Sequence, residues 1–292
     1  MSFAIFTDTS ANLPTELTEQ YGIHVVALSY TMDGETKTCT DTRTFDAPAY
    51  YAAMKQGAVI TTSQVNPQQY VDAMEPALQS GQDILFVGMS SGISGSLNSA
   101  RIAADQLLET YEDRTIAIVD SLGASLGEGL WVLKACEYNK QGLTAAQTAE
   151  KLKDQIENMY QLFTVDDLMH LRKGGRLSNA AAIFGTLLQV KPLLKGNAAG
   201  KIVAFEKVRG RKGVLDKIAQ RYDDLVVDPE KQIVGISHCG CPEDAAAMAK
   251  RIQQNRPPRQ VLVVEHEPVT GSYLGPGALA IYFTGASDIR EK

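Results

Sequence analysis

Two short stretches crowd hydroxyls and small residues where an apolar run gives way to a turn. Gly88-Met89-Ser90-Ser91-Gly92-Ile93-Ser94-Gly95-Ser96 carries four hydroxyls and three glycines between the run at 83–87 and a helical pattern from Leu97. Glycine admits close backbone approach, and N–H groups opening a helix keep a partial positive charge, so such a turn can hold an anionic head group without a cation. The plainer reading, serines capping the helix, uses the same residues. Thr61-Thr62-Ser63-Gln64, after Val59-Ile60 and before Pro67, is a second donor-rich junction, with N-capping of a helix over 68–78 as its plainer role.

Gly88-Met89-Ser90-Ser91-Gly92 also matches the G-x-S-x-G nucleophile elbow, and His170, His238 and His266 follow in an order that permits a triad. A serine hydrolase of acyl esters using Ser90 is therefore an alternative, although no HGGG-like oxyanion segment precedes it. A third feature is Gly271-Ser272-Tyr273-Leu274-Gly275-Pro276-Gly277, a stiff, tight turn before the last apolar run. Tyr273 at its start is placed either to offer a phenolic donor to a ligand or to pack its ring at a sheet edge.

The other polar residues point elsewhere. His266, between Glu265 and Glu267, is expected to be solvated with a raised pKa, and Asp8 and Asp120 to cap the elements after their strands. Cys239-Gly240-Cys241 follows His238, but no second cluster of ligand spacing completes a metal site, and the four cysteines are too few and irregular for a disulfide framework. The P-loop pattern is absent, and Asp8-Thr9-Ser10 occupies the turn where a dinucleotide fingerprint would lie. No cofactor is implied.

Elements that would position these groups follow from periodicity. Short β-branched runs at 4–7, 24–30, 84–87, 115–119, 233–237, 261–264 and 279–283 read as buried strands, and helical patterns at 97–109, 144–162 and 243–255 alternate with them. The class is α/β, with parallel sheet in the first half. Thr144-Ala145-Ala146-Gln147 is a capping box, and Ala145, Ala149, Leu152, Ile156 and Met159 extend its helix in one apolar stripe. A second short helix of small and apolar residues is expected over 179–188.

The chain has 292 residues, 44% of them hydrophobic and 21% charged, more than one core usually fills. Two domains follow, residues 1–160 and 161–292, with a cleft between them as the natural ligand site. A net charge of −6, with basic clusters only at 172–176 and 209–212, argues against nucleic acid. No stretch approaches the roughly 18 apolar residues of a spanning helix, and residues 1–8 lack a basic leader, so a soluble, cytoplasmic chain without membrane insertion is expected.

Taken in order, the motifs resemble those of the DegV family from end to end. Asp8-Thr9-Ser10-Ala11-Asn12-Leu13-Pro14, Thr62-Ser63-Gln64, the Ser90 to Ser96 turn and Asp120-Ser121 come first. Lys173-Gly174-Gly175-Arg176, Lys191-Pro192, Lys207-Val208-Arg209-Gly210-Arg211 and Gly275-Pro276-Gly277 follow. The resemblance implies a bacterial two-domain α/β protein, with a parallel-sheet α/β/α first domain and a mixed-sheet second. Such a protein binds one long-chain fatty acid between its domains and is not itself an enzyme. In bacteria with a fatty acid kinase it presents the acyl carboxylate to the kinase subunit and carries the acyl phosphate away.

Carried onto this chain, the resemblance puts the carboxylate on Thr62 and Ser94, with Ser63 and Tyr273 beside them. The family usually has a histidine two residues before Gly-Pro-Gly, where this chain has Tyr273; a tyrosine donates a hydrogen bond but does not become a cation near neutral pH. Ile183, Leu187 and Leu188, with Ala182, are expected to line the acyl tunnel or to be ordinary core. Arg172, Arg176, Arg209 and Arg211 are expected to dock the kinase or to be a solvated positive face.

Overall fold

The computed structural model describes residues 3–178 and 190–292, so the helix expected over 179–188 lies outside the described residues. The chain forms two compact units, Met1–Phe45 with Thr61–Ile156, and Asp46–Ile60 with Glu157–Lys292.

In the first unit, β1 (Ala4–Asp8), α1 (Thr15–Tyr21), β2 (Ile23–Val26), β3 (Ser29–Met32) and β4 (Glu35–Thr38) come in sequence. Helix α2 (Ala47–Lys55) is part of the second unit, after which the first resumes with β5 (Ile60–Ser63), α3 (Pro67–Gln79), β6 (Ile84–Gly88) and α4 (Ser96–Leu108). It ends with β7 (Ile116–Asp120), α5 (Leu126–Lys140) and α6 (Ala145–Lys153).

The main sheet of this unit has the order β2-β1-β6-β7 and is parallel throughout, with Ile5 opposite both Ile23 and Leu85. Every residue of β1 and β6 is buried, as expected of strands covered on both faces. From β1 the chain turns to β2 on one side, and from β6 to β7 on the other. The order therefore reverses between β1 and β6, and the crevice at the carboxyl ends of such a strand pair is where open α/β sheets take ligands. The loops after Asp8 and after Gly88 leave from that point.

The run expected as one strand over 24–30 is two. Leu28 gives its N–H to Thr9 Oγ1 at 3.1 Å and so leaves the ladder, and β3 joins a small separate sheet of order β4-β3-β5. The β3–β4 hairpin closes on Asp33-Gly34, both at positive φ, as a two-residue Asp-Gly turn requires.

The second unit continues with β8 (Met159–Thr164), α7 (Met169–Lys173), β9 (Val190–Gly196), β10 (Ile202–Arg209) and α8 (Arg211–Leu225). It closes with β11 (Ile233–His238), α9 (Pro242–Asn255), β12 (Gln260–Glu265), α10 (Pro268–Leu274) and β13 (Leu279–Thr284). Its six-stranded sheet has the order β10-β9-β8-β13-β11-β12 and is mixed: β11 and β12 are parallel, and the other neighbours antiparallel. Val214, Ile218 and Tyr222 of α8 and Ala245, Met248 and Ile252 of α9 bury against it, with Phe283 edge-on to both Tyr160 and Tyr222.

The helix expected over 144–162 is corrected. The Thr144–Gln147 capping box forms as read, but α6 stops at Lys153, and Met159 opens β8. Tyr160, Leu162 and Phe163 pair with β13, and Leu162 and Phe163 also with β9. Pairing on both edges of a central strand outweighs a helical stripe that continues by chance through Ile156 and Met159.

Candidate functional site

Two buried acids lie at the carboxyl end of β1, and one of them reaches the turn after β6. Asp8, wholly buried at the end of β1, accepts from Ser10 N–H at 2.8 Å and Met89 N–H at 3.5 Å. Burial pushes its carboxyl above the ordinary range against the pull of those bonds. Glu128, also wholly buried, accepts from Thr7 Oγ1 at 2.8 Å and from the Ser10 hydroxyl. Glu128, between Gly127 and Gly129 and just before the apolar run Leu130–Leu133 of α5, is the sequence signal for this layer. Asp8 does cap the turn after β1, as read, and Asp120 accepts from Leu122 N–H at 3.0 Å and Ser91 N–H at 3.3 Å.

Above this layer the two hydroxyl clusters meet. Ser96, the first residue of α4, is wholly buried and accepts at Oγ from Val65 N–H at 3.4 Å and from Ser94 Oγ at 3.1 Å. Ser94 Oγ in turn accepts Ser96 N–H at 3.2 Å. Gly95 passes so close to Gln64 that an added Cβ would fall on the Gln64 carboxamide oxygen. Thr62 and Ser94 are half-buried and Ser63 is exposed, all in segments without a lysine, arginine or histidine. The result is a donor-rich surface at the start of a thirteen-residue helix, suited to a head group whose charge is met by hydrogen bonds alone.

Ser90 does not face outward. It is wholly buried, its Oγ accepts Gly92 N–H at 3.1 Å, and its own N–H goes to Gly123 O at 2.8 Å. His24, the histidine of the first unit, lies stacked on Phe6 with ring centroids 4.5 Å apart.

Tyr273 belongs to the second unit and lies in the last turn of α10, where the sequence had suggested a turn. Glu267 caps this helix by accepting Val269 and Thr270 N–H, each at 2.6 Å. Tyr50 and Tyr51 of α2 tie its start down, donating to Pro268 O and His266 O, each at 2.7 Å. The Tyr273 ring lies under the Arg176 guanidinium and against Gly174, and the half-buried His170 ring packs on Gly275. His170 joins the segment unannounced by any spacing in the sequence.

The expectation for His266 is corrected. It is 2% exposed, with Nδ1 at 2.9 Å from Ser237 Oγ and Nε2 at 2.8 Å from Thr270 Oγ1. Burial, with His238 nearby, holds its pKa down to about 3, because β12 carries it into the interior and its acidic sequence neighbours turn to other partners. Among the basic residues, Arg172 and Arg209 are exposed. Arg211 instead pairs with Asp244 at 2.7 Å and Asp166 at 3.7 Å, and Lys191 reaches Asp166 at 2.6 Å. Cys241 donates to Ala278 O at 3.3 Å beside Arg211. Ile183, Leu187 and Leu188, with Ala182, lie outside the described residues. Among the described residues no helix is long and apolar enough to cross a membrane.

Comparison with known proteins agrees with this architecture. A DegV domain-containing protein of Clostridium perfringens is 36% identical over 283 residues, 97% of each chain. The solved structure of DegV, a fatty acid binding protein from Bacillus subtilis, superposes with a TM-score of 0.84 at 30% identity, over 98% of this chain and all of that one. A DegV family protein from Ruminococcus gnavus, solved with vaccenic acid, gives 0.87 at 26% identity, over 97% and 99% of the two chains. The family model described as "Uncharacterised protein, DegV family" matches residues 2–285, and the chain belongs to the DegV family.

Proposed function

We propose that this protein binds a single long-chain fatty acid, with the carboxylate at Thr62, Ser63 and Ser94 and a phenolic donor available from Tyr273. The observation that carries the reading is the junction of the two loops at Ser96 and at Gln64–Gly95, which gathers donors without cations at the switch point of a parallel sheet. The fatty acid binding named for the Bacillus relative and the vaccenic acid named for the Ruminococcus one support the ligand class. A buried methylene contributes ~0.8 kcal/mol, so about ten of them supply ~8 kcal/mol before ordering costs, and the head group need only be satisfied.

In this reading the protein is a carrier that presents the carboxylate to a kinase subunit and takes away the acyl phosphate. ATP is assigned to that partner, since the P-loop pattern is absent from this sequence. Arg172 and Arg209 are exposed and are the better candidates for docking; Arg176 and Arg211 are half-buried. Hydrolysis at Ser90 is the weaker reading, because that side chain is buried.

Native mass spectrometry of the purified protein, followed by denaturing extraction, tests the proposal. A stoichiometric long-chain fatty acid is the expected result. An empty protein that also refuses added fatty acid would refute it and make Tyr273 the mark of a different ligand.

A further inference from the structure

Behind Ser94 lies a hydroxyl with no task in the reading above. Tyr70 of α3 is wholly buried, its ring edge-on to Phe86 with centroids 5.1 Å apart. Its oxygen lies near enough to the Ser96 side chain to interact with it, yet among the described residues no partner stands within ordinary hydrogen-bond geometry. A buried hydroxyl left unpaired is costly and calls for an explanation. The nearby acids act on it through their charge, and their hydrogen bonds go to other donors: Ser10 and Met89 N–H on Asp8, Thr7 and Ser10 hydroxyls on Glu128. Burial first, then the charges of those acids, holds the phenol above its ordinary range, so it keeps its proton.

Proton counting shows where that hydroxyl is needed. Ser96 Oγ accepts from Ser94 Oγ at 3.1 Å and Val65 N–H at 3.4 Å, which fills both of its lone pairs. In this arrangement Ser94 spends its only proton on Ser96. To donate to a carboxylate it must turn outward, and Ser96 then loses one donor. Ser96 can give its own proton to Ser94 Oγ, but its vacated lone pair needs a new donor, and the idle Tyr70 hydroxyl lies near it.

We infer that Tyr70 is a positioning residue for the head-group site: its hydroxyl lets Ser96 and Ser94 reverse, so that Tyr70, Ser96 and Ser94 form one chain of O–H donors directed at the bound anion. Aligned donors polarise one another, and the last of them meets the charge. The inference rests on the assignment of Ser94 to the head group.

Tyr70→Phe removes one oxygen and keeps the ring against Phe86. With cis-vaccenic acid as probe, calorimetric titration is expected to show binding weakened roughly three- to tenfold in the native background and unchanged in a Ser94→Ala background. Equal weakening in both backgrounds overturns the inference. So does native affinity in Tyr70→Phe when Ser94→Ala itself binds weakly. If neither Ser94→Ala nor Thr62→Ala alters affinity, the head-group assignment falls, and the inference with it. Should Tyr70→Phe melt early, Ser96→Ala breaks the same chain one link nearer the ligand and must show the same dependence on Ser94.

Discussion

Arg176 lays its guanidinium over the ring of Tyr273, 4.7 Å from the centroid, and Gly174 lies so close to the same ring that a Cβ there would strike Cδ1. The Lys173 to Arg176 turn and the end of α10 therefore pack as one piece, with the phenol's direction set by a cation–π contact and a bare Cα. Gly174→Ala is expected to destabilise the second unit by about 1–3 kcal/mol through overpacking, and Arg176→Ala by about 0.5–1 kcal/mol. Denaturant unfolding reads both. Native stability in Gly174→Ala would mean that the ring yields freely.

Ser94 and Thr62 carry the proposed contact with the ligand's charge. Removing either hydroxyl leaves the carboxylate one donor short, and a hydrogen bond to a charged group is worth about 1.5–3 kcal/mol. Ser94→Ala and Thr62→Ala are each expected to weaken fatty acid binding by an amount in that range; Ser94→Ala also takes a partner from the buried Ser96 N–H and hydroxyl and is expected to lower the melting temperature. Titration with a fatty acid checks this, and unchanged affinity in both variants would refute the head-group site.

Glu128 is the acceptor for two hydroxyls on β1 and the turn after it, Thr7 and Ser10. Glu128→Ala strands both in a dry interior and is expected to cost about 2–4 kcal/mol of folding stability. Glu128→Gln keeps one carbonyl acceptor and should cost less. Unfolding curves for the two variants, compared at neutral pH, decide the matter; equal, negligible losses would show that this layer contributes little.

His266 makes stability depend on pH in a definite direction. Its folded pKa of about 3 lies below the ordinary 6.5, so between these values the unfolded chain binds the proton and the folded chain does not. Stability from this group is complete above pH 6.5, falls as pH drops through the window, and is lost below about 3. At pH 4.5 the loss is about 2.7 kcal/mol, from two pH units at 1.36 kcal/mol each. Melting temperature should therefore fall more steeply below pH 6.5 in the native protein than in His266→Gln. Parallel profiles would contradict the assignment.

The class of the fold and most of its elements were legible from local pattern. The runs at 4–7 and 84–87 became fully buried parallel strands, and the Thr144–Gln147 capping box formed with both of its bonds. The box succeeds because both of its bonds lie within three residues along the chain, and the two runs because a short, continuous apolar stretch bounded by turn residues already marks a strand covered on both faces. The pattern over 144–162 failed because Met159 to Thr164 satisfies its backbone on β13 and β9, partners far away in sequence.

The candidate site divides in the same way. Thr62, Ser63, Ser94 and Tyr273 were nameable from residue type and from ordered motifs. Only tertiary structure decided that Val65 and Ser96 join the two hydroxyl loops, that Asp8 reaches the Met89 N–H while Glu128 holds Thr7 and Ser10, and that the Tyr70 hydroxyl stands without a partner in ordinary geometry behind them. It also decided that His266 is buried and that Arg211 is taken up by ion pairs. Hydrogen bonding and desolvation act between groups over a hundred residues apart, as Thr7 and Glu128 are, and such pairs leave no period or spacing in a single sequence.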